Sequence, residues 1–421
     1  MEMEMEMDIH HIHERGIVYK IQTGTETVGR CCRKVGSLAM VTRSQAKLAA
    51  KQEPQPTLLE PVRDTLLAAV LRTSPAVNLL IRRLCGPLDG VVSVLARAIS
   101  LTVTDLFMTL VVPVCAVTVD VRFARQLMIL FSIVLYCCNL AKNVLRLPRP
   151  HKPGDRARPL SDEEKSFGFP SLHCAASVAM PLLILSAGSP LAAAAASEAD
   201  LPQLRSRVLL GWAASIGFAR LHLGVHSLPD VLGGWLLGFG LWRQFDHLVA
   251  SGTLDQAVSG GGWLLPAATL ALALLLALLF PKGRGLDAQG RPGLTDDTVT
   301  ESVIVIGCAT GALLAAWRDA TLPALAAPSL EAVAMLEGAA GGLARASIAL
   351  IGTLAAKTLF KELTRRAVDA VADLAGGTAA APRDKRKCDG TTARERVARL
   401  LCYVLLAIFL LDPLPELVGR R

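Results

Sequence analysis

The sequence predicts an all-α fold: a polytopic transmembrane helical bundle of about nine spans. Three observations carry this. Of 421 residues, 52% are hydrophobic and 19% charged, the mean hydropathy is +0.44, and the apolar excess is gathered into runs of bilayer-crossing length. A soluble enzyme or a wholly disordered chain would not concentrate its apolar residues in this way. The net charge of +8 suits anionic headgroups or a phosphorylated substrate. No nucleic-acid partner is expected, because aromatic residues make up 5% of the chain and no basic stretch is interleaved with them.

In chain order, the opening MEMEMEMDIHHIHERG lacks a charged stretch followed by an apolar one. No cleaved signal peptide is expected, and its histidines read as low-complexity tail and not as a metal site. Residues 1–97 form a polar N-terminal region, partly disordered. Its amphipathic pieces over 62–97, broken by Arg72, Arg82 and Arg83, are expected outside or on the membrane. Apolar runs follow at 98–119, 124–141, 171–195, 207–222, 227–245, 262–280, 301–317, 341–360 and 396–412. Asp105 lies within the first and is costly in lipid unless it faces the bundle interior. Residues 98–250 hold the candidate chemistry, whereas 251–421 supply further spans, with linkers at 281–300 and 376–395. The ten cysteines form no CxxC pair and read mostly as small apolar core residues.

Polar residues gather at three places. In AKNVLRLPRP, Lys142 lies near the end of the second span, and Pro148 and Pro150 force an extended turn around Arg149. By itself this segment equally fits a positive helix cap or snorkelling side chains. In FGFPSLHCAAS, Pro170 suits a first helical turn, which would leave the amides of Ser171 and Leu172 facing outwards as an anion site with His173 beyond them. Ser171 also reads as a plain helix cap. In GFARLHLGVHSLPDVLGG, His226 and Asp230 are four apart, so the carboxylate can orient the ring, with Arg220 upstream. Ser227 to Asp230 fits a capping box as well, and the two readings are compatible. His222 and His247 read as structural.

Strict alternation of spans puts all three places on one membrane face. Three cations (Lys142, Arg149, Arg220), the hydroxyl of Ser171 and backbone amides would then surround an acid-oriented histidine. That set calls for a dianion, with a phosphate monoester the obvious candidate. No carboxylate cluster suited to magnesium occurs in these segments, so side chains would have to meet the phosphoryl charge, with no cofactor and no metal expected.

Lys-x6-Arg-Pro (142 to 150), Pro-Ser-x-His (170 to 173) and Arg-x5-His-x3-Asp (220 to 230) resemble the three signature motifs of the type 2 phosphatidic acid phosphatase superfamily. Over roughly residues 98 to 415 the chain is most similar to its sphingosine-1-phosphate phosphatase branch. The resemblance implies a phosphatase core and a membrane lipid phosphatase. His226 would form a phosphohistidine, Asp230 would orient it, His173 would protonate the leaving alkoxide and later activate water, and Lys142, Arg149, Ser171, Leu172 and Arg220 would bind phosphate. It also implies an endoplasmic-reticulum protein with a lumenal site. The thirteen Lys and Arg of residues 1–97 pull the other way, and a further membrane-entering piece within 62–97 would reconcile the two. Leu172 stands where the family commonly has glycine or threonine, and Ala219 where it usually has serine before the arginine. The expected partner is a phosphorylated lipid. A broad lipid phosphate phosphatase and a catalytically silent relative are the alternatives, and oligomeric state is not legible.

Overall fold

A computed structural model describes residues 60–147, 149, 166–186, 189–190, 201–281, 283–286, 292–322, 338–374 and 392–418. These belong to one compact unit, Leu59–Arg421. The low-complexity opening, most of the loop between the first two motifs and most of the 376–395 linker lie outside the described residues.

Helices α1 (Glu60–Cys85) and α2 (Asp89–Leu101) are joined by a single 3-10 turn at Gly86–Leu88. Gly86 makes the bend with φ 49°, a conformation that is easy without a Cβ. Past Arg83 only Asp89 and Arg97 interrupt the apolar sequence, and Leu80–Leu101 is long and apolar enough to cross a membrane. The region expected outside or on the membrane therefore contains a candidate span, and the division expected at residue 97 runs through α2.

The anticipated run 98–119 is broken. Thr102 and Thr104 turn their hydroxyls onto the Ile99 and Leu101 carbonyls, a local bond that competes with helix. The next helix, α3, spans Asp105–Thr118. Then come α4 (Val121–Leu145), α5 (Leu172–Leu185), α6 (Leu201–His222), α7 (Leu228–Ala250), α8 (Thr253–Gly260) and α9 (Leu264–Leu279). A short antiparallel hairpin, β1 (Gly283–Leu286) with β2 (Pro292–Thr295), occupies the expected linker. It leads into α10 (Asp296–Thr321), α11 (Gly338–Leu374), α12 (Ala393–Leu411) and α13 (Pro413–Leu417).

Every anticipated apolar run carries a helix, yet the expected nine spans are not confirmed among the described residues. Among the described residues five helices are long and apolar enough to cross, or six if the pair α8 and α9, bent by 110°, is one span. The shortfall has physical causes. Helices α3 and α5 have 14 residues each, about 21 Å of rise against a hydrocarbon core of about 30 Å. Helices α6 and α7 carry Arg207, Arg220, Asp230, Arg243 and Asp246, which lower their hydropathy.

Two glycine contacts set the packing around the site. A Cβ on Gly234 of α7 would stand 2.5 Å from the Ser171 carbonyl oxygen, and one on Gly238 would stand 2.2 Å from that of Ala175. Only glycine lets α7 lie this close to α5. In the same way Gly307 and Gly311 of α10 would bring a Cβ to 2.8 Å from the Leu400 oxygen and 2.5 Å from the Val404 oxygen of α12, a small-xxx-small contact. Helix α4 is tied to α10 at both ends. Asn139 donates to Glu301 (3.0 Å) and Asn143 to Thr298 (3.2 Å) near its C-terminus, while Arg125 pairs with Asp319 near its N-terminus.

Candidate active site

All three motif segments meet at one end of the bundle. Helix α4 brings Lys142 in its last turn and stops three residues later, where Arg146 takes a left-handed conformation (φ 52°) and returns its amide to the Lys142 carbonyl. The extended chain beyond lies beside the segment that leads to α5, with Gly168 N donating to Leu147 O (3.0 Å). There Arg149 gives Nε and Nη2 to the carbonyl and hydroxyl of Ser166 (2.8 Å each) and Nη1 to the carbonyl of Val225 (3.0 Å). Its planar fork thus fixes the first motif against the turn just before His226.

Pro170 does not occupy a first helical turn. Helix α5 begins at Leu172, with Ser171 at the N-cap position and no side-chain cap bond. The Ser171 amide is not turned outwards either, since it donates to the Asp230 carbonyl (3.0 Å), which joins the second motif to the third. The Leu172 amide is the first of α5 and lies among the helix-start donors with no partner one turn back. The Leu172 side chain packs against the main core cluster. The Ser171 hydroxyl is buried without a hydrogen-bond partner, and His173 is buried in the first turn of α5.

Arg220 lies in the last turn of α6, buried at 3% exposure. The chain then reverses through Gly224, whose φ of 69° favours glycine, and delivers His226 and Ser227 to the start of α7. The capping box is present, and the expected hydrogen bond from His226 to Asp230 is not made. Ser227 N donates to Asp230 Oδ2 (2.7 Å) while Asp230 N donates to Ser227 Oγ (3.3 Å). The same Oδ2 stands 3.6 Å from His226 Nδ1, so the cap holds the carboxylate beside the ring and leaves Nε2 as the ring's second nitrogen.

His226 and Asp230 are buried together at 2% and 0% exposure. Burial first, and then the charges of Arg149, Arg220 and Lys142 with His173, hold the His226 pKa well below the ordinary histidine value. The ring is therefore neutral at neutral pH, the form a nucleophile needs. Three cations, Lys142, Arg149 and Arg220, thus act on the His226 ring beside the one carboxylate of Asp230.

Ser166 is the residue that the motif spacing missed. Its position four residues before Pro170, in a polar stretch leading to the second motif, is the only signal it gave. His222 is structural, as expected: its ring meets Ser93 Oγ (3.1 Å) and Cys85 Sγ (3.6 Å), fastening α6 to α1 and α2. Ala219, in place of the family's serine, lies in a buried apolar cluster with Ala96, Leu223 and Val225. A hydroxyl there would face carbon.

In comparison with known proteins, residues 124–250 match the PAP2 superfamily and form a domain of that kind. Among individual proteins, the chain is 27% identical to lipid phosphate phosphatase delta of Arabidopsis thaliana, over 46% of each chain. It is 25% identical to sphingosine-1-phosphate phosphatase 2 of Mus musculus, over 39% of this chain and 43% of the relative. It is 28% identical to a dihydrosphingosine 1-phosphate phosphatase of Schizosaccharomyces pombe, over 42% and 43%. The matches span less than half the length of these curated relatives. No solved structure matches.

Proposed function

We propose that this chain is a membrane phosphatase that hydrolyses lipid phosphate monoesters, with sphingoid base 1-phosphates as its preferred class. One observation carries the reading: Arg149 is fastened to the Val225 carbonyl beside a buried His226 whose Nδ1 stands 3.6 Å from Asp230 Oδ2, with the charges of Arg220 and Lys142 also acting on the ring. In this scheme Asp230 keeps the proton on Nδ1, and His226 Nε2 attacks phosphorus. An N–P bond forms as the P–O ester bond breaks, and the leaving alkoxide takes a proton from His173. Water then attacks the phosphohistidine, its proton passes to His173, and inorganic phosphate leaves as the N–P bond breaks.

Lys142, Arg149 and Arg220 meet the phosphoryl oxygens. The buried Ser171 hydroxyl and the first amide of α5 supply uncharged donors. Unaided phosphate-monoester hydrolysis is so slow that enzymes accelerate it by up to ~10²¹-fold, and a fixed cationic enclosure is the kind of arrangement that supplies such a gain. The scheme routes no step through a metal. The same resemblance that suggests the roles suggests the endoplasmic reticulum, with the site on its lumenal side.

Sphingoid specificity is favoured by relatives named for sphingosine and dihydrosphingosine phosphates, and broad specificity by the relative named a lipid phosphate phosphatase. Phosphate release measured on the full chain in detergent micelles separates the two. Sphingosine 1-phosphate should turn over with a higher kcat/KM than phosphatidic acid, and glucose 6-phosphate least. Equal values for the first two would favour the broader enzyme, and no release from any would refute phosphatase function.

A further inference from the structure

Lys142 stands in the last turn of α4, buried and near enough for its charge to act on His226 and Asp230. Three residues later the helix is over. The last carbonyls of a helix have no partners further along it, and a lysine on a flexible four-carbon stem brings little rigidity of its own. With Arg149 and Arg220 acting on the same ring, like charges would push this turn outwards whenever no anion is bound. Something else has to hold it.

The hold comes from α10. Asn139 and Asn143 lie one turn apart on α4, both almost wholly buried, and both reach the start of α10. Asn139 Nδ2 donates to the Glu301 carboxylate (3.0 Å) and to the Thr298 carbonyl (3.4 Å); both partners are acceptors, so the amide's orientation is forced. The Thr298 hydroxyl meets both ends of the Asn143 amide (3.2 and 3.3 Å), and Asn143 Nδ2 also donates to the Pro281 carbonyl (2.9 Å) just after α9. A carboxylate and two amides between apolar helices are costly where packing alone would serve. Packing alone does serve on another face of α10, which meets α12 through Gly307 and Gly311. What the polar contact adds is rotation. At 3.6 residues per turn, Lys142 projects about a quarter turn from the direction shared by the two asparagines, so their bonds to α10 fix where its ammonium group points.

We infer that Thr298 and Glu301 are positioning residues for Lys142, an assignment that rests on the phosphatase reading above. They act through Asn143 and Asn139. Both lie beyond residues 124–250, the stretch that matches the PAP2 superfamily, so a helix outside that domain aims a lysine assigned to the phosphate.

The test is kcat/KM for phosphate release from a lipid phosphate monoester by the full chain in detergent micelles, in two backgrounds, with Lys142 present and with Lys142→Met. Lys142→Met removes a charge-assisted contact to a phosphoryl oxygen and should cost about 10- to 100-fold. Thr298→Val and Glu301→Leu should each cost about tenfold when Lys142 is present and less than about twofold when it is absent, because a residue that acts only through Lys142 then has nothing to position. Thr298→Ser and Glu301→Gln keep the hydroxyl and an accepting oxygen, and should stay within about twofold of wild type. Asp319→Asn, at the far end of the same helix pair, is the control and should leave kcat/KM unchanged in both backgrounds. Equal losses from Thr298→Val and Glu301→Leu in the two backgrounds overturn the inference, because they mark a general loosening of the bundle. A Lys142-dependent loss in Asp319→Asn does the same, as does wild-type kcat/KM in both Thr298→Val and Glu301→Leu, or failure of both to elute as folded protein. Release of phosphate from no lipid phosphate by the wild-type chain overturns the phosphatase reading, and the positioning role falls with it.

Discussion

Replacing Gly238 by alanine tests how the pocket is assembled. The new methyl would stand 2.2 Å from the Ala175 carbonyl oxygen, where ordinary contact begins at 3.4 Å. The obstacle is backbone in the first turn of α5, which cannot swing aside as a side-chain tip could. Helix α7 must therefore back away from α5 by roughly 1 Å. His226 and Asp230 sit at the start of α7, Ser171 and His173 at the start of α5, and the bond from Ser171 N to Asp230 O (3.0 Å) spans the two. A misplacement of about 1 Å between reacting groups can cost ~10²-fold in rate, so kcat should fall by about that factor. Gly240, on the same helix, has nothing within 4 Å of a built Cβ. Gly240→Ala is accordingly the control, expected to keep wild-type kcat with a small gain in helix stability. The assay is phosphate release from a lipid phosphate monoester, with size-exclusion elution as the check on folding. A folded Gly238→Ala variant with wild-type kcat would refute the claim that this glycine contact sets the catalytic geometry.

Two further outcomes follow from the same geometry. His226→Ala and His173→Ala should each reduce phosphate release by several orders of magnitude while inserting in membranes normally, and near wild-type turnover in either would remove that residue from its role. Burial and the surrounding cations lower the His226 pKa, so the ring stays unprotonated as pH falls below the ordinary histidine value. The acid limb of kcat/KM should therefore be centred below about 6.5, and a limb centred above that value would contradict a neutral, cation-surrounded nucleophile.

The sequence made the candidate site legible for a simple reason. Charged residues are costly near lipid, so Lys142, Arg149, Arg220, His226 and Asp230 stand out against apolar helices. Local chemistry was equally readable at Ser227 to Asp230, where the spacing of a capping box is short enough to see without tertiary information. What escaped depends on contacts between distant segments. The Ser171 amide looked available from its place before a helix, and its acceptor, the Asp230 carbonyl, comes 59 residues later. Ser166 carries no motif, and only the path of the chain after α4 brings it to Arg149. The glycines at 234 and 238 read as ordinary small residues of a span until α5 lies against them. The nine spans are not confirmed among the described residues, because length and charge, and not apolarity alone, decide which helices pass as candidates: α5 is apolar but short, whereas α6 and α7 are long but carry charges.

The central claim is that His226 itself becomes phosphorylated, and trapping the covalent intermediate tests it most directly. The full chain is mixed with a lipid phosphate monoester, quenched in alkali to preserve phosphohistidine, digested, and mapped by mass spectrometry. The account predicts phosphate on the peptide that contains His226, and none on that peptide in the His226→Ala variant. Steady turnover with phosphate on a different residue, or on none, would contradict it.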